Sequence, residues 1–260
     1  MRRMKNLFGA DDKTVILPID HGASLDVHPG LKHPDYVIER CIEAGADAVL
    51  TTFGVANKFE KALSGCGLIL RMDGGSCQLS SGSGDALLYS LEAALKLGAD
   101  GVACMGFLGT ENEKTTLKNL AFLGEKCRDW GVPLMAEMLP GGFTGHPEKS
   151  VENIRMACRI GAELGASIIK TTFAGNRGEF AEIIESSYVP VVILGGAHSS
   201  DFETLLKTVQ VSNEAGGAGV AIGRNVWGQP DPYDRMKALC RIIHENATAD
   251  DAARGLKETP

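Results

Sequence analysis

Lys170 stands inside a short β-rich run, Ser167-Ile168-Ile169-Lys170-Thr171-Thr172, that follows a helical pattern over Ser150–Leu164 and a glycine, Gly165. An unpartnered ammonium is costly to bury, so a lysine between Ile169 and Thr171 needs a reason. One is a solvated strand end, or a pair with a buried carboxylate. The other is an amine nucleophile, its pKa lowered by its pocket, that condenses with a carbonyl to a Schiff base.

Four further groups could share a site with this amine. Asp20-His21-Gly22 closes an early apolar run. Asp20 could pair with the lysine or orient substrate hydroxyls, and His21 could bind a hydroxyl or an anion; an ordinary turn would use the same residues. Glu137 and Leu139 lie two apart in another run, on one face if the run is a strand. Glu137 there is a proton carrier or a buried counter-ion. Arg71 ends a third run, where it could contact a phosphate or carboxylate, or form a salt bridge with Asp73 or Asp100. Gly195-Gly196 and Gly223-Arg224-Asn225 are glycine-rich turns whose backbone N–H groups can approach an anion, with Arg224 adding charge; plain tight loops remain the alternative.

The elements that must position these residues form a series. Eight apolar runs are visible: Val15–Ile19, Ala48–Thr52, Leu68–Arg71, Gly101–Met105, Pro133–Met138, Ser167–Thr172, Pro190–Leu194 and Ala218–Ile222. Helical patterns over Pro34–Glu43, Asp85–Leu97 and Lys114–Trp130 alternate with them, which predicts a parallel sheet. Glu43-Ala-Gly-Ala-Asp-Ala-Val49 recurs as Lys96-Leu-Gly-Ala-Asp-Gly-Val102, with weaker echoes at Glu163–Ile169 and Glu214–Val220. Each copy reads as a helix end, a C-capping glycine and a strand. This recurrence over 260 residues predicts one (β/α)8 TIM-barrel domain of α/β class spanning 1–260, with an open doubly wound sheet as the alternative. In a barrel, catalytic groups gather at the C-terminal ends of the strands, and the last two loops commonly hold phosphate. Gly74–Gly84 and Gly141–Glu148 read as loops, and 246–260 as a polar tail with a short helix and a frayed end.

Composition narrows the partners. A net charge of −7 with no basic block argues against nucleic acid. No apolar run is long enough for a membrane span, and no signal core follows basic Met1–Lys5. Seven cysteines without CxxC spacing suit a reduced, cytoplasmic protein. The histidines show no HxH or HExxH spacing, so no metal is expected, although His146 and His198 both follow strand ends.

Taken together, Leu17-Pro-Ile-Asp20-His21-Gly22, Ile168-Ile-Lys170-Thr-Thr172, Val192-Ile-Leu-Gly195-Gly196 and Gly219-Val-Ala-Ile-Gly223-Arg224-Asn225 resemble the archaeal-type class I fructose-bisphosphate aldolase family. That family groups with deoxyribose-phosphate aldolase, 2-amino-3,7-dideoxy-hept-6-ulosonate synthase and autoinducer-2 phosphate thiolase. The resemblance runs from Asn6 to about Asp250. It implies a barrel, a Schiff-base lysine at Lys170 with no other cofactor, and an aspartate at Asp20. It also implies phosphate held by Gly195, Gly196, Gly223 and Arg224, a phosphorylated sugar or keto substrate, and a homo-oligomer, a decamer or similar ring. One position departs. The aldolases and the heptulosonate synthase carry a tyrosine acid/base on the fifth strand, and the matching residue here is Leu139, which cannot transfer protons. Glu137 is the candidate for that role, and the second lysine of deoxyribose-phosphate aldolases has no counterpart in Val191–Leu194. A non-covalent sugar-phosphate isomerase and a barrel that binds without turnover are the competing functions.

Overall fold

Eight parallel strands pair in chain order and close on themselves: β1 (Thr14–Pro18), β2 (Ala48–Thr51), β3 (Gly67–Arg71), β4 (Gly101–Leu108), β5 (Leu134–Pro140), β6 (Ile168–Thr171), β7 (Val191–Leu194) and β8 (Gly219–Ala221). The computed structural model describes all residues except 24–26, 76–85, 144–145, 197–200, 255 and 257–260. Pairing of Thr14, Val15 and Ile16 with Gly219, Val220 and Ala221 joins the last strand to the first, so the sheet is a TIM barrel and not an open doubly wound sheet.

Alternation along each strand sorts the side chains. Val15, Leu17, Val49, Leu70, Val102, Ile169 and Val220 face outward and pack with the surrounding helices. Ile16, Leu50, Ile69, Ala103, Met135, Ile168, Val192 and Ala221 point inward as one dry cluster. Leu7, from the short N-terminal 3-10 helix, joins this inner cluster and is essentially fully buried. It plugs the N-terminal end of the barrel, near the first residues of β3 and β4.

The repeated motif has a structural reason in each part. Its glycines Gly45, Gly98, Gly165 and Gly216 all have positive φ, which lets the helices end and the chain turn into a strand. Its aspartates accept the N–H of the second residue of the preceding strand. Asp47 bonds Val15 N–H at 2.7 Å, and Asp100 bonds Leu68 N–H at 3.1 Å. Asp100 therefore sits at the end of the barrel opposite Arg71, and a salt bridge between them does not form.

Several expected boundaries move. β4 runs on to Leu108 and β5 to Pro140, because Gly106, Phe107 and Leu108 pair with Met138, Leu139 and Pro140. Gly106 looks like a terminator in the sequence, yet it is a paired strand residue against the Met138 side chain. The helix expected over Asp85–Leu97 covers only Leu91–Lys96. Ser90 caps it by accepting the Ala93 N–H, and Ala86–Leu87 instead form a two-stranded antiparallel ribbon with Asp73–Gly74. Most of the loop expected over Gly74–Gly84 lies outside the described residues. The C-terminal segment contains the helix Ala249–Ala253, which buries Ala249 and Ala252 and bonds Gln210 through the Ala249 N–H.

Candidate active site

Strand alternation delivers charge to the layer above the dry cluster. Arg71 is two residues beyond Ile69, Glu137 two beyond Met135, and Lys170 two beyond Ile168, so all three project into the barrel. Register places Glu137 beside Lys170 on adjacent strands. Asp20, just past β1, reaches in from the rim.

These four side chains form one buried ionic network. Lys170 Nζ lies 2.9 Å from Glu137 Oε1. The other oxygen of Glu137 accepts a hydrogen bond from Arg71 Nη2. Arg71 Nε donates to Asp20 Oδ2 at 2.8 Å, and Nη1 faces Asp73 Oδ1 at 3.4 Å. Asp73 in turn accepts the Met105 N–H at 2.7 Å and the Cys104 thiol at 3.4 Å. Lys170 is 5% exposed and Arg71 2%.

Burial and neighbouring charge compete at each acid. Desolvation pushes the Asp20 carboxyl up, but Arg71 and then Lys170 outweigh it and hold the group at about 2. Desolvation acts the same way on Glu137, and Lys170 followed by Arg71 keeps it below the usual carboxylate range. At Asp73 burial wins over Arg71, and the carboxyl lies above its ordinary value. His21 is shifted down, chiefly by burial against the pull of Asp20, which favours the neutral imidazole. Its ring meets the edge of Trp227, whose indole N–H donates to Pro18 O at 2.9 Å.

A cavity of about 330 Å³ opens above the network, and Asp20, His21, Arg71, Glu137, Lys170, Gly195, Gly196, Gly223 and Arg224 all border it. The turns after β7 and β8 are tied together by Asn225, whose side-chain amide donates to Gly195 O at 2.9 Å. Gly223 lies so close to β1 that a Cβ would fall 2.4 Å from Pro18 O, so a side chain there would push the turn off the rim. Met105, Leu139, Leu194 and Phe143 supply an apolar wall, with Lys149 beside it. Asp73 and Lys149 are the site residues that sequence reasoning passed over. Asp73 figured only as one possible partner of Arg71, and Lys149 follows a stretch read simply as loop. Among the described residues no group of three or more His, Cys, Asp or Glu is placed to hold a metal; His198 is outside them.

Comparison with known proteins fits this geometry. Residues 14–229, from the start of β1 to just past the turn that carries Arg224, match the DeoC/LacD family aldolase. The chain is 34% identical over 246 residues to 2-amino-3,7-dideoxy-D-threo-hept-6-ulosonate synthase 1 of Archaeoglobus fulgidus, covering 94% of this chain and 91% of that one. An archaeal fructose 1,6-bisphosphate aldolase superposes with a TM-score of 0.86 at 29% identity, over 94% of this chain and 98% of the other. A further structure of such an aldolase, with a TM-score of 0.85 at 28% identity over 93% and 98% of the two chains, has its catalytic lysine covalently bound to the carbinolamine intermediate of the substrate. With this barrel and near full-length similarity to such enzymes, the present chain is an enzyme of the class I aldolase type, and it belongs to the DeoC/LacD family of aldolases.

Proposed function

We propose that this protein makes or breaks a carbon–carbon bond in a phosphorylated keto-sugar through an imine on Lys170. The observation that carries this is a lysine amine inside the barrel, 2.9 Å from a carboxylate and bordering a cavity rimmed by glycine turns and Arg224. The ammonium gives a proton to Glu137, and the free amine attacks the substrate ketone. Loss of that positive charge removes the larger of the two influences holding Glu137 low, so Glu137 becomes a stronger base as the amine becomes a nucleophile. Glu137 then returns its proton to the carbinolamine hydroxyl, which leaves as water. The resulting iminium draws in the electron pair of the bond one carbon away. As that bond breaks, the hydroxyl on the departing carbon loses its proton to Glu137 and leaves as an aldehyde. The enamine left on Lys170 is protonated at carbon, and water releases the product ketone. Asp20, ionised at neutral pH, stabilises the cationic iminium. His21, Arg224 and the backbone of Gly195, Gly196 and Gly223 hold the phosphate.

Imine formation exchanges the ketone oxygen with solvent. Incubating dihydroxyacetone phosphate with the enzyme in 18O-labelled water should label the ketone faster than spontaneous hydration does without enzyme, and K170A should return the exchange to that enzyme-free rate. Exchange undiminished in K170A overturns the proposal.

One observation favours a transferase using the same imine. The wall where an acid/base tyrosine would stand is apolar at Met105, Leu139 and Leu194. A transferase passes the enamine to a second carbonyl compound faster than to a proton, which a competition between an acceptor aldehyde and solvent deuterium measures.

The same proposal places the enzyme in the cytoplasm as a homo-oligomer. The described cysteines are free thiols, as a reducing compartment keeps them. No helix among the described residues is long and apolar enough to cross a membrane. Light scattering reads the assembly size.

A further inference from the structure

We infer that Arg71 is a positioning residue, the fork that aims Glu137 at Lys170 and holds Asp20 beside it, and not a ligand for substrate phosphate. The inference rests on the imine role of Lys170 proposed above. Its observations are geometric. The guanidinium is almost wholly enclosed, and each of its three nitrogens faces a different carboxylate: Nε towards Asp20, Nη2 towards Glu137, Nη1 towards Asp73. A planar guanidinium holds these directions rigidly, whereas a lysine offers one nitrogen on a flexible stem. Among the described residues, each hydrogen bond of the guanidinium goes to one of these carboxylates.

The three acids come from separate parts of the fold: the turn after β1, the ribbon after β3, and β5. Among the described residues, Arg71 alone is hydrogen-bonded to all three. By occupying Oε2 of Glu137 it leaves Oε1 as the oxygen that meets Lys170 Nζ. Without the fork, that carboxylate could rotate away from the amine it must deprotonate. Misplacement of a proton carrier by about 1 Å can cost on the order of 100-fold in rate. Arg71 also helps hold both Asp20 and Glu137 ionised. Its loss should therefore shift the acid limb of the pH–rate profile upward.

The test is R71K, which keeps a buried cation for the fold but sets it on one flexible nitrogen that cannot hydrogen-bond all three carboxylates, so the support that holds Asp20 and Glu137 ionised is weakened. We expect kcat to fall about 100-fold, KM for the phosphorylated ketone to stay within about 3-fold, the acid limb of kcat to move to higher pH, and affinity for inorganic phosphate to be unchanged. Loss of phosphate affinity and a raised KM, with kcat and the acid limb intact, would make Arg71 a substrate ligand and overturn the inference. A variant with unchanged kcat and pH profile would overturn it equally. If R71K does not fold, R71K/D73N carries the same expectations with one buried carboxylate fewer to satisfy. Trapping of a borohydride-reduced adduct on wild-type Lys170 is run alongside. Its failure strikes the imine proposal, while an adduct with an unaltered R71K pH profile strikes only the role of Arg71.

Discussion

The two ends of the barrel are built from the same strands and differ in almost every physical respect. At the N-terminal end Leu7 seals a dry cluster of Ile16, Leu50, Ile69, Met135 and Ile168. One layer higher, the same strands present Arg71, Glu137 and Lys170, nearly as buried but charged. Apolar burial stabilises the first layer at roughly 25 cal/mol per Å². The second layer bears the desolvation of several ions, which their mutual pairing only roughly offsets. The barrel thus separates a layer that holds the fold from a layer that adds little to it and that carries the proposed chemistry. Substitutions should divide along the same line.

K170A has the largest expected effect: turnover falls to background in a steady-state cleavage assay, while the protein stays folded by circular dichroism. E137Q follows, with kcat lowered about 100- to 10,000-fold, the range of a lost general acid/base. L7A tests the other layer. Truncating this buried plug should cost about 2–5 kcal/mol in denaturant unfolding, with kcat and KM of the folded fraction unchanged; a kcat loss there would break the separation. R224A should raise KM for the phosphorylated substrate about 10- to 100-fold, as expected for one charge-assisted hydrogen bond, with kcat little altered.

The smallest effect belongs to His244, at the sealed end. Its two ring nitrogens lie 2.9 Å from Asp11 and 3.0 Å from Asp47, and both can donate only in the imidazolium. Asp47 first, then Asp11, raise the imidazolium pKa from 6.5 to about 9 against the opposing effect of burial. Because the folded value is the higher, this stabilisation is complete below pH 6.5 and is lost as pH rises through 9. Melting temperature should decline over that window in the wild type, and H244Q should flatten the decline.

The sequence carried the barrel well because its signals were periodic and repeated. Gly45, Gly98, Gly165 and Gly216 each ended a helix as the motif implied, and Lys170 announced itself by standing among apolar neighbours. What stayed hidden depends on contacts across the closed sheet. Glu137 was expected near Lys170 only if its face of the strand pointed into the barrel, and the ion pair itself depends on the register between β5 and β6. Asp73 looks like a turn residue until the fold encloses it against Met105 and Cys104. Asp100 and Asp73 seemed equal partners for Arg71 because a linear reading does not say which end of a strand each occupies. Leu139 was legible as an absence, and Glu137 is the carboxylate that lies 2.9 Å from the Lys170 amine.

The central claim is that one amine bonds covalently to substrate. Wild-type enzyme is mixed with dihydroxyacetone phosphate, reduced with borohydride, digested and mapped by tandem mass spectrometry. The account predicts one added substrate-sized mass on the peptide containing Ile168-Ile169-Lys170-Thr171. Full turnover of a phosphorylated keto-sugar with that peptide unmodified, or with the mass on Lys149 instead, would contradict it.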